Sequence, residues 1–135
     1  MEYTNLFKLG MRPSDTPHVV SAKQNDLFTR FLHIQLTRDY VDYEPEEGVT
    51  IQFRCMKPDG TLIVEDSSVM DSELNRYLVT DQGGGVIQVE LTDSVLDIPG
   101  RCKCDLCLIK NEQVLSTDLF VINVVAHPDI SKLGT

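Results

Sequence analysis

Between Gly83 and Ile109 the chain alternates apolar and polar residues with period two, twice in succession. Ile87, Val89 and Leu91 alternate with Gln88 and Glu90. Cys102, Cys104, Leu106 and Leu108 alternate with Arg101, Lys103 and Asp105. In an extended chain successive side chains point to opposite faces, so each run reads as a strand with one buried and one wet face. The link from Thr92 to Gly100 opens on a capping-type Thr followed by Asp and closes on Pro99-Gly100. That suits one short helical turn and a sharp return. The stretch is expected to be an antiparallel sheet element with a structured corner. It carries no recognisable catalytic chemistry.

The same pattern recurs along the chain. Residues 1–18 are irregular, punctuated by Gly10, Pro13, Asp15 and Pro17, and read as an arm or as a first edge strand near Leu6–Leu9. His18–Ala22 is a short apolar strand, and Lys23-Gln24-Asn25-Asp26 is a turn by composition. A longer strand from Leu27 to Thr37 places Leu32, Ile34 and Leu36 on one face, and Phe31, His33, Gln35 and Thr37 on the other. Residues 38–48 form an acidic loop with Pro45 and Gly48. Val49, Ile51, Phe53 and Cys55 alternate with Thr50, Gln52 and Arg54. Lys57-Pro58-Asp59-Gly60 is a turn in which Pro pre-sets one dihedral and Gly accepts positive φ, so Thr61–Glu65 returns as a hairpin.

In residues 66–82 the residues Met70, Leu74, Tyr77 and Leu78 fit a helical stripe, while Tyr77 and Val79 fit a strand. The reading preferred is a loop from Asp66 to Asn75 and a strand from Arg76 to Thr80. Gly83-Gly84-Gly85 is a flexible turn. Asn111-Glu112 is a two-residue hairpin turn without the usual Gly, followed by strands at Val114–Thr117 and Leu119–Val125. The expected fold is all-β: an antiparallel β-sandwich of about eight short strands with one short helical turn. The expected organisation is an arm over residues 1–17, a sandwich domain over 18–126 and a tail over 127–135.

A chain of 135 residues is long enough to enclose a single core. Its net charge of −9 argues against nucleic acid and against an anionic membrane surface, both of which attract basic proteins. No run approaches the ~20 apolar residues of a membrane span. The N-terminus has no apolar signal core. The chain is expected to fold inside a cell, with its four cysteines as thiols.

Cys102, Cys104 and Cys107 resemble a metal motif at first sight. Zinc takes four tetrahedral ligands, usually from Cys pairs on turns. Here Cys102 and Cys104 share one strand face and Cys107 points away, so a fourth ligand would have to be Cys55 or a distant His. Small apolar core packing is the preferred reading, and no metal or cofactor is expected. The acidic loop holds Asp39, Asp42, Glu44, Glu46 and Glu47, but its spacing does not match a calcium loop and Pro45 interrupts it. His18, His33 and His127 lie far apart, Gly83–Gly85 lack the Lys and Ser/Thr of a phosphate loop, and no nucleophile elbow is present. No catalytic residue is assigned and an enzyme is not expected. A carbohydrate-binding module is the main alternative. Such modules use exposed aromatic rings, and this chain has no Trp and four Tyr: Tyr3, Tyr40, Tyr43 and Tyr77. Tyr40 and Tyr43 form a small platform in that reading, or pack over the sheet edge in the plainer one. A metal-binding protein using the cysteine cluster is the third reading.

Taken in order, four features resemble the N-terminal domain of phage baseplate upper proteins, a family of tailed phages and prophages. They are Lys23-Gln24-Asn25-Asp26 followed by Arg30 and an alternating strand; the Val49–Met56 strand running into Lys57-Pro58-Asp59-Gly60; the Gly-rich lead into Val86–Leu91, then Thr92-Asp93-Ser94-Val95-Leu96 and Pro99-Gly100; and the Arg101–Ile109 strand followed by a hairpin through Val125. The resemblance covers roughly residues 18–126. It implies a β-sandwich that is structural rather than enzymatic. It also implies an oligomeric adaptor at the tail tip, linking the tail to host-recognition components and bound to other tail and baseplate proteins. The implied location is the virion, after assembly in the host cytoplasm. Family members often continue into a helical stalk and a partner-binding C-terminal region, whereas this sequence ends at Thr135, so a stand-alone baseplate or tail component or an isolated domain is expected. Residues 1–18 and the loop 38–48 are the expected contact regions, because they lack internal pattern.

Overall fold

The computed structural model describes residues 6–12, 16–24, 30–68, 70–71 and 76–126. Through these run β1 (Leu6–Leu9), β2 (His18–Lys23), β3 (Arg30–Arg38), β4 (Val41–Asp42), β5 (Thr50–Met56), β6 (Leu62–Asp66), β7 (Met70–Asp71), β8 (Arg76–Tyr77), β9 (Val79–Asp81), β10 (Val86–Leu91), the helical turn α1 (Asp93–Leu96), β11 (Gly100–Lys110), β12 (Gln113–Ser116) and β13 (Phe120–Val125). Eleven of these strands form two facing sheets, and β7 and β8 pair with each other apart from them. The smaller has the order β1-β3-β10-β9, with β4 beside β3. The larger has the order β2-β13-β11-β5-β6, with β12 beside β11. The expected all-β sandwich is what the chain forms, with a single short helical turn.

The length of β11 sets the larger sheet. One side pairs with β5 from Lys103 to Ile109, and the other pairs first with β13 and then with β12. Thr117 fills the break between β12 and β13: its hydroxyl accepts from Leu106 N at 3.0 Å and its own N–H donates to Leu106 O at 2.9 Å. No backbone group of Leu106 is therefore left buried and unpaired. Cys102, Cys104, Leu106 and Leu108 point inward from β11, beside Phe53 of β5 and Phe120 and Ile122 of β13. They meet Leu32, Ile34 and Leu36 of β3 and Ile87 and Val89 of β10. All of these but Phe120 and Ile122, whose strand was expected without an assigned face, were placed on one strand face by their alternation.

Several expectations need correction. The two alternating runs of residues 83–109 do not pair: β10 lies in the smaller sheet and β11 in the larger. The link between them is a crossover between layers. Alternation reports which face is dry, but it does not say which strand sits alongside. Thr92 precedes α1 in extended geometry, and its carbonyl accepts from Val95 N at 3.0 Å and Leu96 N at 3.2 Å. Its side chain makes no cap, and its hydroxyl is buried without a hydrogen-bond partner among the described residues. The corner is fixed from outside instead. Buried Lys57 ion-pairs with Asp97, Gln24 Nε2 donates to the Asp97 carbonyl at 2.8 Å, and Pro58 packs on Gly100.

The pairing is not antiparallel throughout: β1 runs parallel to β3, and β2 runs parallel to β13. Thirteen strands occur among the described residues rather than about eight, several of them only two residues long. Asp66 ends β6, and Met70–Asp71 pairs with Arg76–Tyr77 where a loop was expected. The acidic loop begins as a hairpin, with Arg38 opposite Val41. Of the Lys23–Asp26 turn, Asn25 and Asp26 lie outside the described residues. So do 27–29 of the long strand, 72–75 of the expected loop and the tail 127–135.

Turn chemistry explains the hairpins. Gly60 takes φ +89°, and its N–H donates to Lys57 O at 2.9 Å, as the Lys-Pro-Asp-Gly sequence requires. Asn111 and Glu112 both take positive φ, 50° and 66°, so they make a primed-type turn without glycine. Gly85 has φ +85°, and a Cβ there would stand 2.1 Å from the Tyr43 carbonyl oxygen. Only glycine fits.

The thiols belong to this interior. Cys55 and Cys104 are cross-strand partners, and both are buried with Cys102. A hydrogen bond with Cys102 pulls the Cys55 pKa down, but one with Cys104, together with burial, outweighs it and pushes Cys55 up to about 12. The bond to Cys55 and burial push Cys102 up as well. Cys107 faces outward and is buried against Ser116, with Sγ 3.4 Å from its Oγ.

Three outcomes follow from this packing. Gly85→Ala is expected to lower stability by about 2–4 kcal/mol in urea denaturation, the range for a forced backbone shift plus strain. Glu112→Gly is expected to raise it by about 1 kcal/mol by relieving the left-handed conformation. Cys55 has a folded pKa above its ordinary value of 9.0, so its contribution is complete below pH 9 and is lost as pH rises toward about 12. The urea midpoint should fall across that window, and less steeply in Cys55→Ala.

Candidate functional site

The residues singled out for chemistry do not converge. His18 stacks on Phe7 with ring centroids 4.1 Å apart, His33 Nε2 lies 2.9 Å from Gln88 Oε1, and His127 is outside the described residues. Among the described residues no group of three His, Cys, Asp or Glu is arranged to hold a metal ion. Cys102, Cys104 and Cys55 face the core, and Cys107 faces the other way. Gly83–Gly85 close the β9–β10 hairpin: Val86 N donates to Gly83 O at 3.2 Å, and Gly83 N donates to Asp81 Oδ1 at 2.8 Å.

The tyrosines also part company. Tyr43 packs against the core, with the Arg38 guanidinium carbon 5.8 Å from its ring centroid. Tyr40 is 98% exposed at the tip of the β3–β4 hairpin. The two rings do not form one platform, and for Tyr43 the plainer reading of packing over the sheet edge holds. Tyr3 lies outside the described residues.

The structure does bring together the two segments expected to make contacts. The end of β1, the start of β2 and the β3–β4 hairpin flank one cleft of about 550 Å³. Leu9, Met11, Pro17 and Val19 give it apolar lining, and Lys8, Arg12, Asp39 and Tyr40 give it a charged and aromatic rim. Arg12 pairs with Asp39 at 2.8 Å and Lys8 with Asp42 at 3.6 Å, all four side chains being largely exposed. Exposed pairs of this kind contribute well under about 1 kcal/mol each, so they orient the hairpin more than they stabilise it.

The tip itself is the feature that sequence reasoning missed. Asp39 and Tyr40 take φ values of 51° and 68°, conformations that turns usually give to Asn or Gly. Val41, next in line, is 67% exposed. The hairpin therefore presents an aromatic and an aliphatic side chain to solvent on a strained backbone. A signal was present in the sequence: Tyr40-Val41 is an apolar pair set inside an acidic run.

The family model for the BppU N-terminal domain matches residues 13–132. Among solved structures, the chain is similar to the N-terminal domain of phage TP901-1 ORF48, with 15% identity and a TM-score of 0.57. That match covers 88% of this chain and 97% of that one, and at this identity it speaks for the fold. No curated protein matches the chain. The matched span begins after β1 and takes in β2 to β13, the β3–β4 hairpin included, and the chain belongs to the baseplate upper protein N-terminal domain family, structural components of the bacteriophage tail and baseplate.

Proposed function

We propose that this protein is a non-enzymatic adaptor of the phage tail tip, working as a homo-oligomer that links the tail to host-recognition components. The observation that carries this reading is the exposed Tyr40-Val41 tip beside the N-terminal cleft, in a chain of a baseplate family. A fully exposed tyrosine on a left-handed backbone costs stability, and such cost is retained where the site has work to do. In this reading the sandwich of residues 18–126 carries the fold together with β1, whose Phe7 and Leu9 lie in the core. The rest of the flanking 1–17 and 127–135 are proposed as the arm and tail that reach neighbours, Leu6–Leu9 being laid along β3 of the same chain.

Two further observations support the reading. The net charge of −9 disfavours nucleic acid and anionic membrane as partners. No helix among the described residues is long and apolar enough to cross a membrane. Binding through exposed strand edges and apolar tips needs no active site. Assembly in the host cytoplasm, in a virion or a prophage-encoded particle, accords with buried thiols.

Tyr40→Gly separates function from fold. It removes the ring and relieves the positive φ, so the melting temperature should hold or rise by the equivalent of about 1 kcal/mol. Incorporation into tails, measured by complementing a phage deleted for the gene, should fall. Unchanged incorporation would count against the hairpin as a contact. Glycan-array binding that disappears on the same substitution would instead favour a carbohydrate-binding module.

A further inference from the structure

Three of the four thiols meet in the core where β5 lies beside β11. Cys55, Cys102 and Cys104 are all buried on the inner face of the larger sheet, and Cys55 is hydrogen-bonded to both of the others. The backbone fixes how Cys55 and Cys104 stand to one another. Ser67 N donates to Ile51 O and Lys57 N donates to Thr61 O, each at 2.8 Å. The odd-numbered residues of β5 therefore turn their peptide groups toward β6, and the even-numbered ones turn theirs toward β11. From the other side, Leu106 directs its peptide groups to Thr117, so the even-numbered residues of β11 face away from β5. Cys55 and Cys104, directly opposite in register, are thus a pair with no backbone hydrogen bond between them.

Pairs of that class are the closer of the two kinds in an antiparallel ladder. Their Cα atoms approach to about 4.5 Å, and their Cβ atoms lie at the near end of about 4.5–5.5 Å. A disulfide spans about 4.4–6.8 Å between Cα atoms and about 3.5–4.5 Å between Cβ atoms. The two ranges meet, and both side chains already share one face, so a bond needs only a small adjustment. Cys102 is the diagonal neighbour of Cys55, and such neighbours stand roughly 7–8 Å apart, past that reach. Cys107 points to the opposite face, against Ser116. The register therefore selects one pairing out of the four thiols.

We propose that Cys55 and Cys104 are an oxidation site, closing into a cross-strand disulfide once the protein has left the reducing cytoplasm. The proposal rests on the reading of the protein as a tail component, which is assembled inside a cell and works outside it. The oxidant is a small-molecule disulfide such as oxidised glutathione. The thiolate of one cysteine attacks a sulfur of that disulfide and expels one small thiolate. The thiolate of the other cysteine then attacks the protein sulfur of the mixed disulfide and expels the second. The cysteines give up two electrons and two protons, and the oxidant leaves as two thiols. The new bond closes a loop of about fifty residues that holds every strand from β6 to β10 and the crossover, so it ties β11 to β5 around all of them. Burial and the raised pKa of Cys55 keep the thiolate scarce while the sheet is shut, so closure waits on local opening and is slow.

The test incubates the reduced full chain with oxidised glutathione, once in its native state over days and once during refolding from urea. Free thiols are then alkylated and the peptides mapped by mass spectrometry. The expected product of both treatments has lost two hydrogens and carries Cys55 joined to Cys104. Its urea midpoint should lie higher than that of the reduced chain by roughly 1–2 M, and dithiothreitol should reverse the rise. Cys104→Ala should abolish the bond, whereas Cys102→Ala and Cys107→Ala should keep it. The wild-type peptide map decides the pairing even where the Cys104 variant fails to fold. A chain that keeps four alkylatable thiols after both treatments overturns the proposal, as does a bond from Cys55 to Cys102 or a midpoint that falls on oxidation. A bond that forms only during refolding overturns it too, because a tail component leaves the cell folded. All of these leave the tail reading standing, which is lost instead if the chain never enters tails in the complementation assay.

Discussion

A strand buried on both edges has to satisfy its backbone from two sides while its side chains serve two environments, and β11 meets both demands over eleven residues. Its inward positions are thiols and leucines, small or flexible enough to pack against β3 and β10 without voids. Its outward positions carry Arg101, Lys103 and the Asp105 that Arg54 clamps. The neighbours are laid against this template: β5 along one edge, and β13 then β12 along the other, with Thr117 bridging the gap. The register of β5 in turn fixes β6, and that of β13 fixes β2. A one-residue slip of β11 would turn its whole inner set toward water.

The crossover after β10 depends on the same strand. Gly100 begins β11 and lies against Pro58, while Lys57, one residue earlier in the same turn, holds Asp97. The corner between the sheets is thus held by the tip of a hairpin distant in sequence. The two layers are locked at one end by this contact. At the N-terminal side they are locked by Phe7, which belongs to one sheet and packs on His18 and Phe120 of the other. What the thiols contribute is packing: raised pKa values keep Cys55 and Cys102 neutral and apolar in this interior.

Much of this was legible in the chain itself. Alternation placed Leu32, Ile34, Leu36, Ile51, Phe53, Ile87, Val89, Cys102, Cys104 and Leu106 on buried faces, because period two is a direct consequence of extended geometry. The Lys-Pro-Asp-Gly and Asn-Glu turns were legible for the same local reason. Partner choice was not, because it is set by contacts remote in sequence. Nothing near Leu91 or Gly100 says that the chain changes layers between them, and nothing near Leu6 or His18 announces a parallel neighbour. The Thr92 cap failed because the corner takes its support from Lys57 and Gln24 rather than locally. The hairpin at Asp39-Tyr40 was hidden because its residues break the usual turn preference.

The pairing of β2 with β13 joins two strands far apart in sequence, His18 lying beside Phe120. During synthesis β2 leaves the ribosome long before its neighbour exists, and β1 waits likewise for β3. The larger sheet cannot be sealed until Val125 has emerged, so the nascent chain carries open strand edges until then. A truncated or stalled product would expose those edges to other nascent chains. β13 thus decides when the sandwich closes.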